Sequence, residues 1–398
     1  MTMISEPTRL SLEALILDQG QRLVDELAMH RLASFPPSAA KEFRRLTPAE
    51  AAHFLGVNDS YLRQTAATIK GLALDNNRRA YSLDDLNAVR EAMAVKSRNP
   101  VKFVPRRRDG EHLQLIAVVN FKGGSAKTTT AANLAQYLAL SGYRTLAIDL
   151  DPQASLTTLF GIAPETSVGP SESLYGSLRF DGTPVPIQSI IRKTYIPKLD
   201  VVPGALELME YEHEAPRALA DRTLNRLVFP RVAEALGPIA DDYDVVVIDC
   251  PPQLGYLTLA GLIASTSILI TVHPQMLDVM SMAQFLIMLG SLLDTVAKAS
   301  GRPRSNYDWL RYLITRFEPS DGPQSQMAAF LRMIFGDYVL KNPTVKSSAI
   351  SDAGITSQTI YEIERAQVTR STYDRALESV NSVNAEILGL IRSAWGRK

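Results

Sequence analysis

The feature that most constrains the fold is a predicted strand that runs directly into a glycine-rich turn and then into a predicted helix. Residues 113–120 are mostly apolar, residues 121–127 read FKGGSAK, and a helical pattern follows over residues 128–141. Glycines allow the backbone to wrap around an anion, and the free amides at a helix N-terminus point toward that anion. The chain is therefore predicted to contain a phosphate-binding loop in an α/β fold.

Lys127 and Thr128 carry the chemistry expected of such a loop. The lysine can reach the β- and γ-phosphates of a nucleotide, and the threonine hydroxyl can ligate Mg²⁺. The ordinary P-loop pattern is not met, because Phe121 stands at its first glycine position and Lys122 adds a second lysine. If the backbone at Ala126 has a positive φ, alanine costs about 1 kcal/mol in strain there. The predicted nucleotide-binding residues are Gly123, Gly124, Ser125, Ala126, Lys127, Thr128 and Thr129.

Two further predicted strands end in carboxylates. Residues 146–153 read LAIDLDPQ and include Asp149 and Asp151, whereas residues 242–252 read DYDVVVIDCPP and end a strand at Asp249. Taken alone, each could be an ordinary strand-end acid. The carboxyl ends of parallel strands meet at one edge of a sheet, so all three acids are expected beside the phosphates. Asp249 can then hold Mg²⁺ through water, and the two prolines that follow it form a stiff turn suited to sensing the γ-phosphate.

In order and spacing, these three motifs resemble those of the deviant Walker A ATPases, which include ParA, MinD and the nitrogenase iron protein. The DLDPQ sequence and the segments at residues 341–354 and 369–375 are similar to ParA-type plasmid-partition ATPases, specifically to the RepA group of repABC-type plasmids. The resemblance covers most of residues 40–398. It implies a parallel twisted sheet with helices on both faces, ATPase activity, and ATP and Mg²⁺ as cofactors.

The resemblance also implies roles for particular residues. Lys122 matches the signature lysine of the group, which reaches across a homodimer to the partner's nucleotide. Lys127 and Asp151 take catalytic roles, because Asp151 matches the acid that orients the attacking water. Thr128, Asp249 and Asp149 then belong to the Mg²⁺ site.

The implied cycle involves DNA and a second protein. The ATP-bound dimer would bind DNA without sequence preference, and a ParB-like (RepB) centromere-binding partner would stimulate hydrolysis and release the dimer. Plasmid copies would be carried apart as a result. The basic residues predicted to contact DNA are Lys341, Lys346, Arg370 and Arg375, although each could equally be a surface ion-pair partner.

The chain is predicted to divide into four parts, at residues 1–40, 41–95, 96–111 and 112–398. The first contains a helix over residues 8–33 that either packs on its own domain or mediates dimerisation. The second resembles helix-turn-helix and MerR-like winged units, the third is a basic linker, and the fourth is the ATPase domain. Deletion of residues 1–110 is expected to spare the P-loop chemistry, because the strand–helix alternation begins only near residue 113.

Residues 46–69 predict two short helices around a tight turn at Gly56. Thr47 and Glu50 have the spacing of a capping box at the start of the first helix. The second helix could present a polar face to a DNA groove, with Arg78 and Arg79 in an adjoining wing. In that case the unit would bind its own operator as a repressor, but a purely structural helical hairpin gives the same pattern. The candidate operator-reading residues are Ser60, Arg63, Gln64 and Thr68.

The ATPase region predicts further strands over residues 145–150, 243–249, 266–272 and 310–315, and helices over residues 254–264, 277–298 and 371–395. Residues 165–200 contain four prolines and little periodicity, so loops and one short helix are expected there.

Composition limits the partners and the compartment. Lys+Arg and Asp+Glu both number 42, so any DNA contact must come from a local basic patch. A single cysteine, Cys250, excludes a disulfide framework and an iron-protein type of cluster within one chain. The apolar run at residues 266–272 is shorter than the roughly 20 residues of a membrane span. We expect a cytoplasmic, nucleoid-associated protein without a membrane partner or signal peptide.

Two alternative functions follow from the same sequence. A MinD-like membrane ATPase would use residues 385–395 as an amphipathic anchor, and a pure transcriptional regulator would bind operator DNA without turning over ATP.

Overall fold

The computed structural model describes residues 12–34, 41–69, 72, 80–221, 228–300 and 307–397. The chain divides into two units, Met1–Glu42 and Phe43–Lys398. In the first unit, α1 (Leu12–Ser34) confirms the predicted helix from residue 12 onward, and residues 8–11 of the prediction lie outside the described residues. Several large apolar side chains of α1 are exposed, namely Leu12, Leu15, Ile16, Leu17, Leu23 and Met29.

A seven-stranded sheet forms the centre of the second unit. Its strands are β1 (Gln114–Val119), β2 (Thr145–Asp149), β3 (Arg192–Lys193), β4 (Leu199–Val202), β5 (Val245–Asp249), β6 (Ser267–Val272) and β7 (Trp309–Ile314). Their spatial order is β3-β4-β2-β5-β1-β6-β7, and every pair is parallel except β3 with β4. The predicted α/β fold class is therefore confirmed.

The prediction of only loops and a short helix over residues 165–200 is wrong. This segment contains three short helices and β3, and β4 begins at its end. The four residues of β4 are all buried, but a run this short has no visible periodicity in the sequence. Parallel pairing of Leu199–Val202 with β2 is what makes it a strand, and that contact is not local.

Helices cover both faces of the sheet. Alternate residues of β1 enter two separate hydrophobic cores, so that Ile116 and Val118 face one core while Leu115 and Ala117 face the other. The helices of this unit are α2 (Pro48–Leu55), α3 (Asp59–Ala66), α4 (Leu83–Lys96), α5 (Lys127–Leu140), α6 (Ser155–Leu159), α7 (Pro164–Ser167), α8 (Leu174–Leu178), α9 (Ile187–Ile190), α10 (Leu208–Ala220), α11 (Arg231–Leu236), α12 (Tyr256–Ala264), α13 (Met276–Ser300), α14 (Gly322–Phe335), α15 (Ser348–Ile355) and α16 (Arg370–Ala394).

The predicted helix pair near the N-terminus is present as α2 and α3. Thr47 and Glu50 form the predicted capping box, since each side chain accepts a hydrogen bond from the other residue's backbone amide. Gly56 ends α2 in the left-handed region, with φ of 63°, which glycine adopts without strain. Local chemistry therefore accounts for both the start and the end of α2.

These N-terminal helices share a core with the nucleotide domain. The ring of Phe54 on α2 lies 5.8 Å from that of Tyr137 on α5 and 6.1 Å from that of Tyr361. Arg44 adds a hydrogen bond of 2.9 Å to the Tyr373 hydroxyl on α16. Edge-to-face aromatic contacts of this kind stabilise a fold beyond their buried area. The predicted boundaries at residues 95 and 111 remain predictions, and so does independent folding of residues 112–398, although this packing argues against it.

The predicted linker, residues 96–111, also packs on the nucleotide domain. Phe103 is buried, the Arg107 amide donates to Asp244 Oδ1 at 3.0 Å, and Arg397 from the C-terminus pairs with Glu111. The Arg107 guanidinium donates to the Glu111 carbonyl at 3.1 Å and lies 3.5 Å from Asp241 Oδ1, so this linker cation is used for internal contacts.

One described helix is long and apolar enough to cross a membrane by composition. Met276–Lys298 of α13 has a mean hydropathy of 1.7, and 22% of the window is buried. Scattered polar residues interrupt each apolar run of this helix, so no single run in the sequence reaches the length of a membrane span. A single such helix is weak evidence for a membrane span.

Candidate nucleotide-binding site

The topology gathers the three predicted motifs at one edge of the sheet. The phosphate-binding loop follows β1, Asp149 ends β2 and Asp249 ends β5, and these strands are neighbours in the order β2-β5-β1. Asp249 is in register with Asp149 on one side and with Val118 on the other. The carboxyl ends of adjacent parallel strands thus bring both acids beside the loop, as predicted.

The loop enters α5 through two left-handed residues. Gly124 has φ of 77°, and Ala126, directly before Lys127, has φ of 65°. The sequence left the conformation of Ala126 open, and the structure places it in the region where a Cβ costs about 1–2 kcal/mol. The backbone thereby turns so that the first amides of α5 are free at the loop, the arrangement that binds phosphate.

Residues from β6 and from beyond β7 support the loop. The Thr271 hydroxyl donates to Ser125 Oγ at 3.1 Å, and the Thr315 hydroxyl donates to the Ser125 carbonyl at 3.0 Å. Arg316 donates to the Gly124 carbonyl at 3.0 Å. The segment at residues 313–317 resembles the ParA strand that ends beside the nucleotide base, so the sequence already points to Thr315 and Arg316. Thr271 was not predicted, although a polar residue at the end of a buried strand is a signal that could have identified it.

The two lysines of the loop differ sharply in environment. Lys127 is 7% exposed, and its Nζ donates to the Lys122 carbonyl at 3.2 Å, which closes the loop on itself. Burial lowers the pKa of Lys127, while Asp249 and Asp151 counteract that effect. The side chain of Lys122 is 42% exposed, and its ammonium lies 3.0 Å from Asp278 Oδ1 at the start of α13. One lysine therefore serves the interior of the site and the other lies at its rim.

Asp149 is held by three donors. Its Oδ2 accepts hydrogen bonds from the Thr157 amide at 2.8 Å and the Thr157 hydroxyl at 2.7 Å, and its Oδ1 accepts one from the Asp151 amide at 3.2 Å. Gly204 packs so closely that an added Cβ would lie 2.9 Å from the Asp149 carboxyl carbon. Asp149 thus orders the loop that carries Asp151.

Asp249 is a buried carboxylate whose oxygens accept no hydrogen bond within the described residues. Burial raises its pKa well above the usual range, and the nearby Asp149 raises it further, although the Thr128 hydroxyl opposes the change. Burial likewise raises the pKa of Asp149, whose three donors oppose the shift. Three donors thus stabilise the charged form of Asp149, whereas only the Thr128 hydroxyl does so for Asp249.

The residues present fit a hard cation bound together with phosphates. The two orphaned oxygens of Asp249 and the hydroxyl of Thr128 are ligand types that Mg²⁺ takes, with water and phosphate oxygens completing its shell. Asp151 is 9% exposed and accepts the Gln153 amide at 3.0 Å, so its second oxygen has no hydrogen bond within the described ranges. Of the predicted metal-site acids, Asp249 therefore offers more free ligand atoms than Asp149.

The predicted DNA-contacting residues form two separate exposed sets. Ser60, Arg63 and Gln64 are exposed on α3, and Arg63 pairs with Asp59 on the same helix. The candidate wing residues Arg78 and Arg79 lie outside the described residues.

The second set lies on α16 and on the loop beside it. Arg370 and Arg375 are exposed on α16, and Lys341 and Lys346 are exposed on the loop before α15. Glu386 on α16 accepts the Lys341 amide at 2.8 Å, which attaches this loop to the helix. The structure thus brings the elements that carry these four cations together.

Comparisons with known proteins identify the family. Residues 113–299 match the model of a family described as AAA domain. The chain is 55% identical over 395 residues to the "Putative replication protein A" of Rhizobium rhizogenes, covering 98% of this chain and 97% of that protein. It is 40% identical over 157 residues to the chromosome partitioning protein ParA of Myxococcus xanthus, covering 39% and 51% of the two chains.

A solved structure described as a partition protein has the same fold. It matches with a TM-score of 0.63 and 17% identity, and the match covers 96% of this chain and 99% of the other. The loop with two lysines, the acids at adjacent strand ends and these similarities lead to one assignment. The chain belongs to the ParA-type partition ATPases with a deviant P-loop, in the group that includes the replication protein A of R. rhizogenes.

Proposed function

We propose that this ATPase partitions plasmid copies as an ATP-bound homodimer that binds DNA and is reset by hydrolysis. ATP and Mg²⁺ are its cofactors. The observation that carries the proposal is the pair of loop lysines, because Lys127 alone occupies the interior of the site. Lys122 remains 42% exposed at its rim, where the nucleotide of a second chain can meet it.

Each residue of the site has a role that follows from its environment. Lys127 and the first amides of α5 bind the phosphates, and Thr128 and Asp249 hold Mg²⁺, whose charge offsets that of the phosphates. Asp151 orients the attacking water through the carboxylate oxygen that has no hydrogen bond within the described residues. Phosphoryl transfer needs mainly positioning and charge neutralisation, and these groups supply both.

DNA binding by the dimer is assigned to the cations on α16 and its adjoining loop. Two of the four are partly engaged, since Lys346 pairs with Glu318 at 2.9 Å and Arg370 lies 3.9 Å from Asp374. These exposed pairs contribute little, so phosphate can displace the carboxylates. Two-fold symmetry would place two such basic patches on the dimer. A local patch of this kind can bind DNA although the net charge of the chain is zero.

The exposed face of α3 and a ParB-like partner complete the proposal. Ser60, Arg63 and Gln64 would read the protein's own operator, and a centromere-bound partner would stimulate hydrolysis.

The membrane alternative through residues 385–395 is disfavoured, because Ile387, Leu388 and Ile391 are at most 6% exposed in the core. A helix that already buries its apolar face has little left to insert into a bilayer.

The test measures binding to nonspecific DNA at one stated salt concentration with no nucleotide, ADP, ATP and a slowly hydrolysed analogue. Tight binding is expected only with ATP and the analogue. Lys122→Ala should keep monomeric ATP binding, because Lys127 remains, but lose dimerisation and DNA binding together. Two charge-assisted bonds are lost per dimer, which weakens the free energy of dimerisation by on the order of 5 kcal/mol.

Lys127→Ala is the matched control, since it should lose nucleotide binding as well. The proposed cycle would be contradicted if DNA affinity were the same with and without nucleotide, or if the Lys122→Ala chain dimerised with unchanged affinity.

A further inference from the structure

Two consecutive residues at the front of the phosphate-binding loop are attached to one helix, α13. The Lys122 ammonium lies 3.0 Å from Asp278 Oδ1, and the Phe121 ring stacks on Phe285 with centroids 6.5 Å apart. Asp278 and Phe285 are seven residues apart, so they lie on the same face of α13. Phe285 is 2% exposed and provides a fixed anchor for the loop.

The contact between Lys122 and Asp278 is asymmetric. The side chain of Asp278 is 8% exposed, whereas that of Lys122 is 42% exposed. The acid is therefore held in place by its surroundings, while the lysine is long, flexible and open to solvent on one side. In such a pair the lysine is the member that can leave.

We infer that Asp278 is an intramolecular latch, which holds Lys122 in the single chain and must release it when two ATP-bound chains meet. This inference rests on the proposed role of Lys122 across the dimer interface. One ammonium cannot be bound fully by Asp278 and by the partner's nucleotide at the same time, so the latch competes with dimerisation. Asp278 is a positioning residue in this account, because it acts through Lys122.

Release of Lys122 does not leave Asp278 as an isolated buried charge. Asp278 is the third residue of α13, where the helix dipole and the free amides of the first turn favour a carboxylate. The acid therefore keeps favourable surroundings in both states, and opening the latch requires little more than breaking a half-exposed ion pair.

The strength of such a pair sets the size of the expected effect. A partly exposed ion pair changes an equilibrium by roughly threefold. Because both chains must open their latch, its removal should tighten the ATP-dependent dimer by about tenfold. The latch thus makes dimer formation depend on a higher local concentration of ATP-bound chains.

The experiment uses the full-length chain with Asp278→Asn, which removes the charge and keeps the size. The dimer dissociation constant is measured by sedimentation with a slowly hydrolysed ATP analogue, and about tenfold tighter association is expected. In the nucleotide-free chain, an amine-reactive acylating reagent followed by mass spectrometry should label Lys122 about threefold faster than in the wild type.

Asp294→Asn is the matched control on the same helix. Asp294 pairs with Lys298 at 2.5 Å near the other end of α13, so its variant should leave both the dimer affinity and Lys122 labelling unchanged. Asp278→Ala is a second variant with the same expected direction, which keeps the test valid if the buried asparagine disturbs folding.

The outcomes separate the latch from the proposed function. A wild-type chain that stays monomeric with the analogue would overturn the proposed function and this inference together. A wild-type dimer whose affinity is unchanged or weakened in both Asp278 variants would overturn the latch alone. A merely structural role for Asp278 predicts a weaker dimer and lower thermal stability together, whereas a latch predicts a tighter dimer.

Discussion

Asp249 combines burial, a negative charge and a lack of hydrogen-bond donors within the described residues. An uncompensated buried carboxylate destabilises a fold unless it takes a proton, and its pKa is accordingly raised. From about pH 4 up to the raised pKa of Asp249, the folded chain without nucleotide therefore binds more protons than the unfolded chain. In this window the contribution of Asp249 to stability decreases as the pH rises. Asp249 is thus available to bind a cation, and its burial lowers the stability of the nucleotide-free fold.

Asp249→Asn should therefore stabilise the nucleotide-free protein increasingly with pH. The difference in unfolding free energy between variant and wild type is expected to grow by up to about 1.4 kcal/mol per pH unit from about pH 4 up to the raised pKa of Asp249. Urea unfolding at several pH values measures it. With Mg²⁺ and an ATP analogue the wild type should instead be more stable than the variant, because the carboxylate then has a cation to bind. A pH-independent difference would show that the carboxyl does not take up a proton on folding.

At the scale of elements, α4 supplies the cap for the C-terminus of α5. Arg90 on α4 is 1% exposed, and its guanidinium donates to the carbonyls of Leu140 at 2.5 Å and Ser141 at 2.8 Å. Burial lowers the pKa of Arg90 to about 10, so it still carries its charge at neutral pH, where the helix dipole favours a cation. Gly142 makes room, because a Cβ there would lie 2.4 Å from Arg90 Nη1. The helix that binds phosphate at one end is thus tied to the N-terminal helices at the other.

Arg90→Met is expected to lower the unfolding free energy by about 1–3 kcal/mol, since two helix-end carbonyls lose their donor although the volume is nearly kept. Chemical denaturation reports this loss. Arg98→Met, at an exposed position, is the matched control and should stay within about 0.5 kcal/mol of wild type. Equal effects of the two substitutions would rule out a capping role for Arg90.

At the scale of the whole molecule, the N-terminal helices and the ATPase core of Phe43–Lys398 form one contact unit. The Phe54, Tyr137 and Tyr361 rings and the Arg90 cap join elements that a division at residue 112 would separate. Exposing such an aromatic cluster to water costs several kcal/mol. In contrast to the expectation from the sequence, we therefore predict that residues 112–398 do not fold stably without the N-terminal helices.

Two truncations test this view. Deletion of residues 1–40 should leave the melting temperature within about 2 °C of wild type, because the described residues of both hydrophobic cores all come later in the chain. Deletion of residues 1–110 should lower it by more than about 10 °C or prevent soluble folding. Calorimetry measures the melting temperature of both truncated proteins. A stable product of the longer deletion that hydrolyses ATP would show that residues 112–398 fold independently.

The sequence by itself determined those features whose chemistry is local. The loop at residues 121–128, the acids at the ends of β2 and β5, and the capping box of α2 could be read from adjacent residues. Strand–helix alternation then placed the acids at one edge, because parallel strands leave no other arrangement for their carboxyl ends. The fold class and the position of the nucleotide site follow from these facts.

Only the tertiary structure decided the features that depend on contacts between distant parts of the chain. The left-handed conformation of Ala126, the ion pair of Lys122 with Asp278 and the strand at Leu199–Val202 have no local signature. The same holds for Arg90, whose acceptors lie 50 and 51 residues further along the chain. Local patterns determine which helices and strands form. The partner of a buried polar side chain depends instead on how these elements pack, because a buried polar group without a hydrogen bond destabilises the fold and its partner can lie far away in the sequence.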